Sequence, residues 1–139
     1  MTTRRPLPVP DAHSAPYWTA AADHVLTVAR CRQCTGFALP PDSVCPHCGS
    51  TSPEFEFVSV SGRGIVRSWT IVRQSFLPGF DDLLPFVLLD VELEEQSELR
   101  MIGRLLDGIG AELRIGTTVV AAFEDVTPEV SVPAFELAP

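Results

Sequence analysis

All four cysteines of the chain fall in one eighteen-residue stretch, CRQCTGFALPPDSVCPHC, as Cys31, Cys34, Cys45 and Cys48. They form two CxxC pairs separated by ten residues. A CxxC segment can fold as a tight knuckle that aims both sulfurs at one ion while its amides donate to the thiolates. Gly36 and Gly49 are placed to help each knuckle turn, and Pro46 stiffens the second. Soft thiolates at tetrahedral geometry select zinc, with iron as the alternative. Disulfides do not fit, because nothing in the sequence marks secretion. A redox CxxC lacks its βαβ context. Four protein ligands close a site, whereas a catalytic zinc keeps a position open for water or substrate. The expected ion therefore folds the module rather than acting on a substrate. His47, between Cys45 and Cys48, reads as an exposed knuckle residue rather than a fifth ligand.

With every sulfur committed to metal, no thiol nucleophile remains, and the sequence contains no GxSxG elbow, HExxH pair or Walker-type loop. The histidines are His13, His24 and His47. His24 follows an expected helix and reads as a turn residue, not a general base. Asp81–Asp82 and Glu94–Glu95 are adjacent carboxylates whose side chains should diverge, as in solvated turns. Acid–base work needs groups aimed at one proton. The Gly-rich SGRG at 61–64 could approach a phosphate through its amides, although a hairpin or barrel-entry turn is the plainer explanation. Arg67, Arg100 and Arg104 fall on expected strands and, with Arg63, form a candidate cradle for a diphosphate-bearing ligand. The plainer reading is a solvated outer sheet face.

The charge balance narrows the partners. The formal net charge is −8, and all ten Lys-plus-Arg residues are arginines. Nucleic-acid binders need positive charge to displace phosphate counterions, so general nucleic-acid binding is disfavoured. No apolar run approaches the roughly 18 residues of a membrane helix, and the N-terminal MTTRRPLPVPDAHSAP lacks an apolar signal core. The expectation is a cytoplasmic protein with no membrane partner.

The elements that must carry these residues are short. With 139 residues, one domain plus a small attachment is expected. Residues 1–13 are Pro-rich and basic and read as an extended arm, or a strap across a partner. SAPYWTAAADH reads as a short helix capped by Ser14, with Pro16 in its first turn. Tyr17 and Trp18 at its head must pack on the domain or on another protein. VLTVAR enters the cysteine module as a strand. Beyond residue 57 the period is two. In IVRSWTIV, Ile65, Arg67, Trp69 and Ile71 alternate with Val66, Ser68, Thr70 and Val72. In FVLLDVELE, Val87, Leu89, Val91 and Leu93 make one apolar face. Residues 74–85 read as an irregular loop, LRMIGRLL as a strand that bends at Gly103, and 107–118 as a loop or short helix. VVAAFEDV and SVPAFEL complete the set. Four or five short strands without a long helix between them suggest a small barrel or sandwich; a five-stranded OB type fits the count, and an SH3-like barrel is the alternative. The expected fold is mainly β: arm and helix over 1–24, four-cysteine zinc ribbon over 25–56, and OB-fold over 57–139.

The order of these pieces resembles a family of acyl-CoA-associated proteins, long catalogued as a domain of unknown function, that joins a rubredoxin-like zinc ribbon to a C-terminal OB-fold. The resemblance is carried by PYW, CRQCTGFALPP, CPHCGS, SGRGIVRSWTIV, LPFVLLDVELE, LRIGTTVVAAF and VPAF, in that order over about 120 residues. It implies a structural zinc and a partnership with thiolase-like or ketosynthase-like enzymes of coenzyme A thioesters, as a heterotetramer or larger assembly. Some members partner hydroxymethylglutaryl-CoA synthase with thiolase, some acyltransferases, and some lipid-transfer-protein-type aldolases that shorten steroid side chains, where the domain can be fused to an enoyl-CoA hydratase. An arginine-only basic complement suits a GC-rich genome and so the last group. Such a chain is a stand-alone subunit or an excised domain. On this resemblance, Arg63, Arg67, Arg100 and Arg104 would meet CoA phosphates, Tyr17 and Trp18 the partner, and the chain would help form the acyl-CoA channel. The alternative is a nucleic-acid-binding OB and zinc-ribbon module in which Trp69 or Phe86 stacks bases. An iron electron carrier and catalysis by this chain alone are the remaining readings.

Overall fold

The structure, a computed structural model, describes residues 5–139. Of the expected N-terminal arm, residues 1–4 therefore lie outside the described residues. The remainder lies on the chain's own barrel. Arg5 pairs with Glu124 at 3.2 Å, and its guanidinium carbon sits 5.6 Å from the centroid of the Phe80 ring.

Helix α1 (Ala15–Ala22) starts differently from the expectation. Ser14 stands at the N-cap but its side chain makes no cap hydrogen bond. A reciprocal pair one turn earlier does the work. Asp11 Oδ1 accepts the amides of His13 and Ser14, and Ser14 Oγ accepts the amide of Asp11. This is the geometry of a capping box, with the acidic residue at its head. Those bonds hold the Asp11 carboxyl below its usual pKa, the Ser14 amide first among them. At the other end, the amides of His24 and Val25 return to the carbonyls of Ala21 and Ala20, and His24 sits at φ 60. That is the Schellman pattern, with a histidine in the left-handed position usually given to glycine. Tyr17 packs on the barrel core, and burial pushes its phenol up to about 12. Trp18 meets it edge-on at 5.0 Å. The two aromatics are thus half-buried against their own domain.

The ribbon is a three-stranded antiparallel sheet in the order β2-β1-β3, from β1 (Thr27–Cys31), β2 (Phe37–Ala38) and β3 (Phe55–Ser59). β1 faces inward, and its Val28 together with the preceding Leu26 belongs to the same apolar cluster as the barrel strands.

The barrel has five strands: β4 (Arg63–Val72), β5 (Phe86–Leu93), β6 (Arg100–Arg104), β7 (Thr118–Asp125) and β8 (Ser131–Leu137). They run in the order β6-β5-β4-β7-β8. The two edges are drawn together by a parallel bridge between Leu105 and Phe135, and the Leu106 amide donates to the Phe135 carbonyl at 2.8 Å. This is the nearly closed OB arrangement. The expected alternation of β5 is realised without a break, with Val87, Leu89, Val91 and Leu93 buried. That of β4 is not. Val66 opposes Val91 and Ser68 opposes Asp90, so Arg67 is a bulge. An extra residue flips the face of everything after it. Val66, Trp69 and Ile71 therefore share the face that meets the buried residues of β5, although Trp69 and Ile71, beyond the bulge, stay exposed, whereas the sequence pattern grouped Ile65 with Trp69 and Ile71. Gly103 serves packing: a Cβ there would lie 2.8 Å from a ring carbon of the fully buried Phe135. The 73–85 loop contains one short 3-10 turn (Asp81–Leu83), and 106–117 is a helix-free loop. Among the described residues no helix is long and apolar enough to cross a membrane.

Candidate metal centre

Strand β1 delivers Cys31, and two knuckles fold back around it. In the first, the Thr35 amide donates to the Cys31 carbonyl at 2.8 Å and the Gly36 amide reaches Cys34 Sγ at 3.5 Å. In the second, the Gly49 amide donates to the Cys45 carbonyl at 3.0 Å. The left-handed positions are Thr35 at φ 66 and Gly49 at φ 74. The turn of the first knuckle is thus made by threonine, not by the expected Gly36.

The four sulfurs, spread over a motif whose ends are 17 residues apart, come within 4.8 Å of one another. Cys34 and Cys45 are 3.6 Å apart, and Cys31 and Cys48 4.0 Å. A tetrahedral ion with metal–sulfur bonds of about 2.3 Å needs sulfurs about 3.8 Å apart. The donor set therefore fits one four-coordinate soft cation, and the cysteines are free thiols, not disulfides. The electrostatics agree. The Cys45 thiol is lowered to about 6, first by the Cys48 amide and also by the His47 amide, against its burial. Cys34 receives the Gly36 amide, which favours its thiolate. Burial and the three neighbouring sulfurs outweigh it and push the thiol up to about 11. Four sulfurs crowded together cannot all ionise without a cation to share. A bound divalent ion would replace those protons and hold both knuckles, with no position left for substrate.

Of the other candidate residues, Arg67 and Arg100 meet on one carboxylate, Glu98. Arg67 pairs with Glu92 and Glu98, Arg100 with Asp90 and Glu98, and Arg104 with Glu124. Among the described residues Arg63 has no carboxylate within 4.0 Å, although it lines one cleft with Glu92, the partner of Arg67, while Arg104 is held on β7 by Glu124. The four do not form one cradle. SGRG does not offer its amides to a phosphate either. The Ser61 amide donates to Glu95 and its hydroxyl to Glu94, while the Arg63 amide takes Ser61 Oγ. The adjacent carboxylates Glu94 and Glu95, expected to diverge, thus converge on one serine, because the turn after β5 curls both towards the β3–β4 connection.

A cluster that the sequence did not flag joins three segments. His24 Nε2 lies 2.7 Å from Asp125 Oδ1, the Ser131 hydroxyl donates to the same oxygen, and the His24 ring stacks on Phe123 at 5.2 Å. The residue types are those of a hydrolytic triad, but the order is wrong. The carboxylate sits between the other two, so no base touches the serine hydroxyl. The cluster ties the α1–β1 turn to the β7–β8 hairpin, and Ser131 and His24 hold Asp125 below its usual pKa. Its members lie up to 107 residues apart in sequence, which leaves no local pattern to read.

Two known domain models match the chain. A model of the "ChsH2, rubredoxin-like zinc ribbon domain" matches residues 18–54, and one of the "ChsH2, C-terminal OB-fold domain" matches 57–124. A probable enoyl-CoA hydratase alpha subunit of Thermomonospora curvata is 31% identical over 131 residues, 94% of this chain but 39% of that protein. This chain thus spans about two fifths of that relative. A DUF35 domain-containing scaffold protein of Methanocaldococcus jannaschii is 30% identical over 74% of this chain and 70% of its own length. Among solved structures, a chain of the Ltp2-ChsH2(DUF35) aldolase superposes with a TM-score of 0.79 at 30% identity, covering 95% of this chain and 99% of the other. Four clustered thiols on a ribbon, a nearly closed five-stranded barrel behind it, and a DUF35 relative matched over most of its length lead to one conclusion: the chain belongs to the DUF35 family.

Proposed function

We propose that this chain is a non-catalytic, zinc-holding subunit that docks on and stabilises a thiolase-like or ketosynthase-like enzyme of acyl-CoA thioesters. A steroid side-chain-cleaving aldolase is the first candidate partner. The observation that carries this reading is the end-to-end similarity to a chain of the Ltp2-ChsH2(DUF35) aldolase. Three features of the chain support it. The sulfur cluster has the geometry of a closed site, so its ion folds the ribbon instead of activating water. His24, Glu94 and Glu95, which could have served catalysis, are spent on tying segments together. Finally, Trp69, Ile71, Phe76 and Leu77 follow one another along the end of β4 and the loop after it, all exposed, Phe76 at 92%. Apolar side chains concentrated in this way are a mark of an interaction surface. Zinc is the ion expected of four thiolates, and free thiols suit a reducing compartment such as the cytoplasm. A CoA phosphate that reaches this chain would meet Arg63, since Arg67, Arg100 and Arg104 are held by carboxylates.

The nucleic-acid alternative fares poorly. Strand-binding OB barrels use the loops that here are 73–85 and 126–130. The cleft between those loops is lined by Asp82, Glu124 and Glu129 and takes Arg5 and Leu7 of the chain's own arm. Trp69 and Phe86, the candidate stacking residues, lie on opposite faces of the sheet, as Trp69 opposes the inward Leu89 and Phe86 opposes Val72.

The test is co-expression with a thiolase-like protein, with the affinity tag on one partner only. Co-elution in equal amounts, in an assembly with two of each chain or more, is the expected result, with Phe76→Ser weakening it. Separate elution together with full activity of the thiolase-like protein alone would sink the reading.

A further inference from the structure

The ribbon ends in an exposed liability. β2 is only two residues long and forms one edge of its sheet. An edge strand carries main-chain groups with no ladder partner. At Phe37 those groups are met by a side chain of the barrel. Gln96 sits in the turn between β5 and β6. Its Oε1 accepts the Phe37 amide at 2.8 Å, and its Nε2 donates to the Phe37 carbonyl at 3.0 Å. A primary carboxamide has one donor and one acceptor side by side, as a neighbouring strand would have. Gln96 thus extends the ribbon sheet by one residue.

The same carbonyl takes a second donor from the metal module. His47 Nε2 lies 2.7 Å from the Phe37 oxygen and 3.2 Å from Gln96 Nε2. A carbonyl can only accept, so the imidazole is assigned its proton on Nε2. The ring lies flat against the first knuckle: a Cβ on Gly36 would come within 2.6 Å of His47 Cδ2. One peptide group of β2 therefore gathers the second knuckle, through His47, and the barrel, through Gln96.

We infer that Gln96 is a positioning residue for the metal centre, and that occupancy of the four-sulfur site is sensed by the β5–β6 turn of the barrel through the Phe37 peptide. When the ion holds Cys45 and Cys48, His47 is fixed over Gly36 and supports the carbonyl that Gln96 grips. When the ion leaves, the second knuckle is free to move, His47 goes with it, and the grip loosens. Coupling between two sites is reciprocal, so loss of Gln96 must weaken retention of the ion. The residue type matters. Glutamate at 96 would still accept the Phe37 amide but would set a carboxylate against the Phe37 oxygen. The inference goes beyond the partner reading and does not depend on it.

The experiment uses the full chain loaded with one zinc per molecule. Zinc transfer to a chromogenic chelator is followed for the parent, Gln96→Ala, Gln96→Glu and His47→Ala, and amide exchange at 94–99 is compared in the parent before and after zinc is stripped. Loss of two hydrogen bonds in Gln96→Ala, and of one with a carboxylate set against the Phe37 oxygen in Gln96→Glu, predicts transfer about ten-fold faster in both variants. His47→Ala combined with Gln96→Ala should fall short of the product of the single effects, because both act on one carbonyl. Stripping zinc from the parent should speed exchange at 94–99. Transfer from both Gln96 variants within two-fold of the parent would overturn the inference. So would unchanged exchange at 94–99 in the stripped parent, a readout that needs no variant to fold. Failure of the parent to hold zinc at all would instead strike the metal assignment.

Discussion

The ribbon and the barrel reach order by different means. The ribbon spans three strands of five, two and five residues, too little sheet to hold itself. Its inward strand leans on the barrel core through Leu26 and Val28, and its two knuckles are held by sulfur chemistry. The barrel has five strands, an unbroken apolar face on β5, and Phe135 fully buried where its edges meet. One half is organised around an ion and the other around burial of apolar surface. A region of the first kind can be dismantled by chemistry that leaves the second intact.

The largest effect should come from the ion. Removing it with a chelator, or substituting Cys31→Ala or Cys48→Ala, is expected to unfold the ribbon, since a structural zinc of this kind supplies on the order of 10 kcal/mol of folding free energy. Amide exchange would show it as lost protection in β1–β3 with protection kept in β4, β5 and β7. Loss across both regions together would show that the two are a single cooperative unit. The reverse experiment is Phe135→Ala, which should cost the barrel about 3–5 kcal/mol. Its Tm should fall well below the parent's while zinc stoichiometry stays at one per chain.

Acid should separate the two further. The Cys45 thiol is lowered to about 6 and the Cys34 thiol is raised to about 11, so protons compete with the ion for the four sulfurs more strongly as pH falls. Metal affinity of thiolates therefore falls with pH, and acid releases the ion. The barrel feels acid later. Asp125 is depressed by Ser131 and His24, so its contribution is present above the ordinary carboxylate value of about 3.9 and is lost as pH falls through its folded value. Zinc release measured against pH should precede the pH at which Asp125→Asn and the parent become equally stable. Coincident transitions would erase the distinction. The smallest expected effect is local: Asp11→Ala removes the capping pair of α1 and should lower helical circular dichroism slightly without touching either zinc retention or the barrel melt.

What could be read from the sequence follows the same division. The cysteine spacing gave away the sulfur cluster because a knuckle is a local object, complete within a few residues. β5 was legible because its period of two is never interrupted. β4 was not, because a bulge adds a residue without changing the composition, and Arg67 looks like any other outward-facing arginine. The convergence of Glu94 and Glu95 on Ser61 depends on how the turn after β5 curls, which adjacency in the chain conceals. His24 with Asp125, and Gln96 with Phe37, are contacts between distant segments made by residue types that are common on surfaces, so no pattern marks them. The fold was thus legible wherever order is local or periodic, and the ties between ribbon and barrel were not.

The pairing of Leu105 with Phe135 sets a timetable for synthesis. The barrel cannot close until β8 has left the ribosome, whereas the residues of the ribbon are all available once the chain has passed Ser59. Chains emerge at about 5–20 residues per second, so the nascent ribbon has several seconds in which its thiols can take up an ion while β5 and Gln96 are not yet in place. During that interval the ion would be held by sulfur alone and free to exchange with the cell's metal pool. Completion of the last strand would then fix whichever ion had been selected.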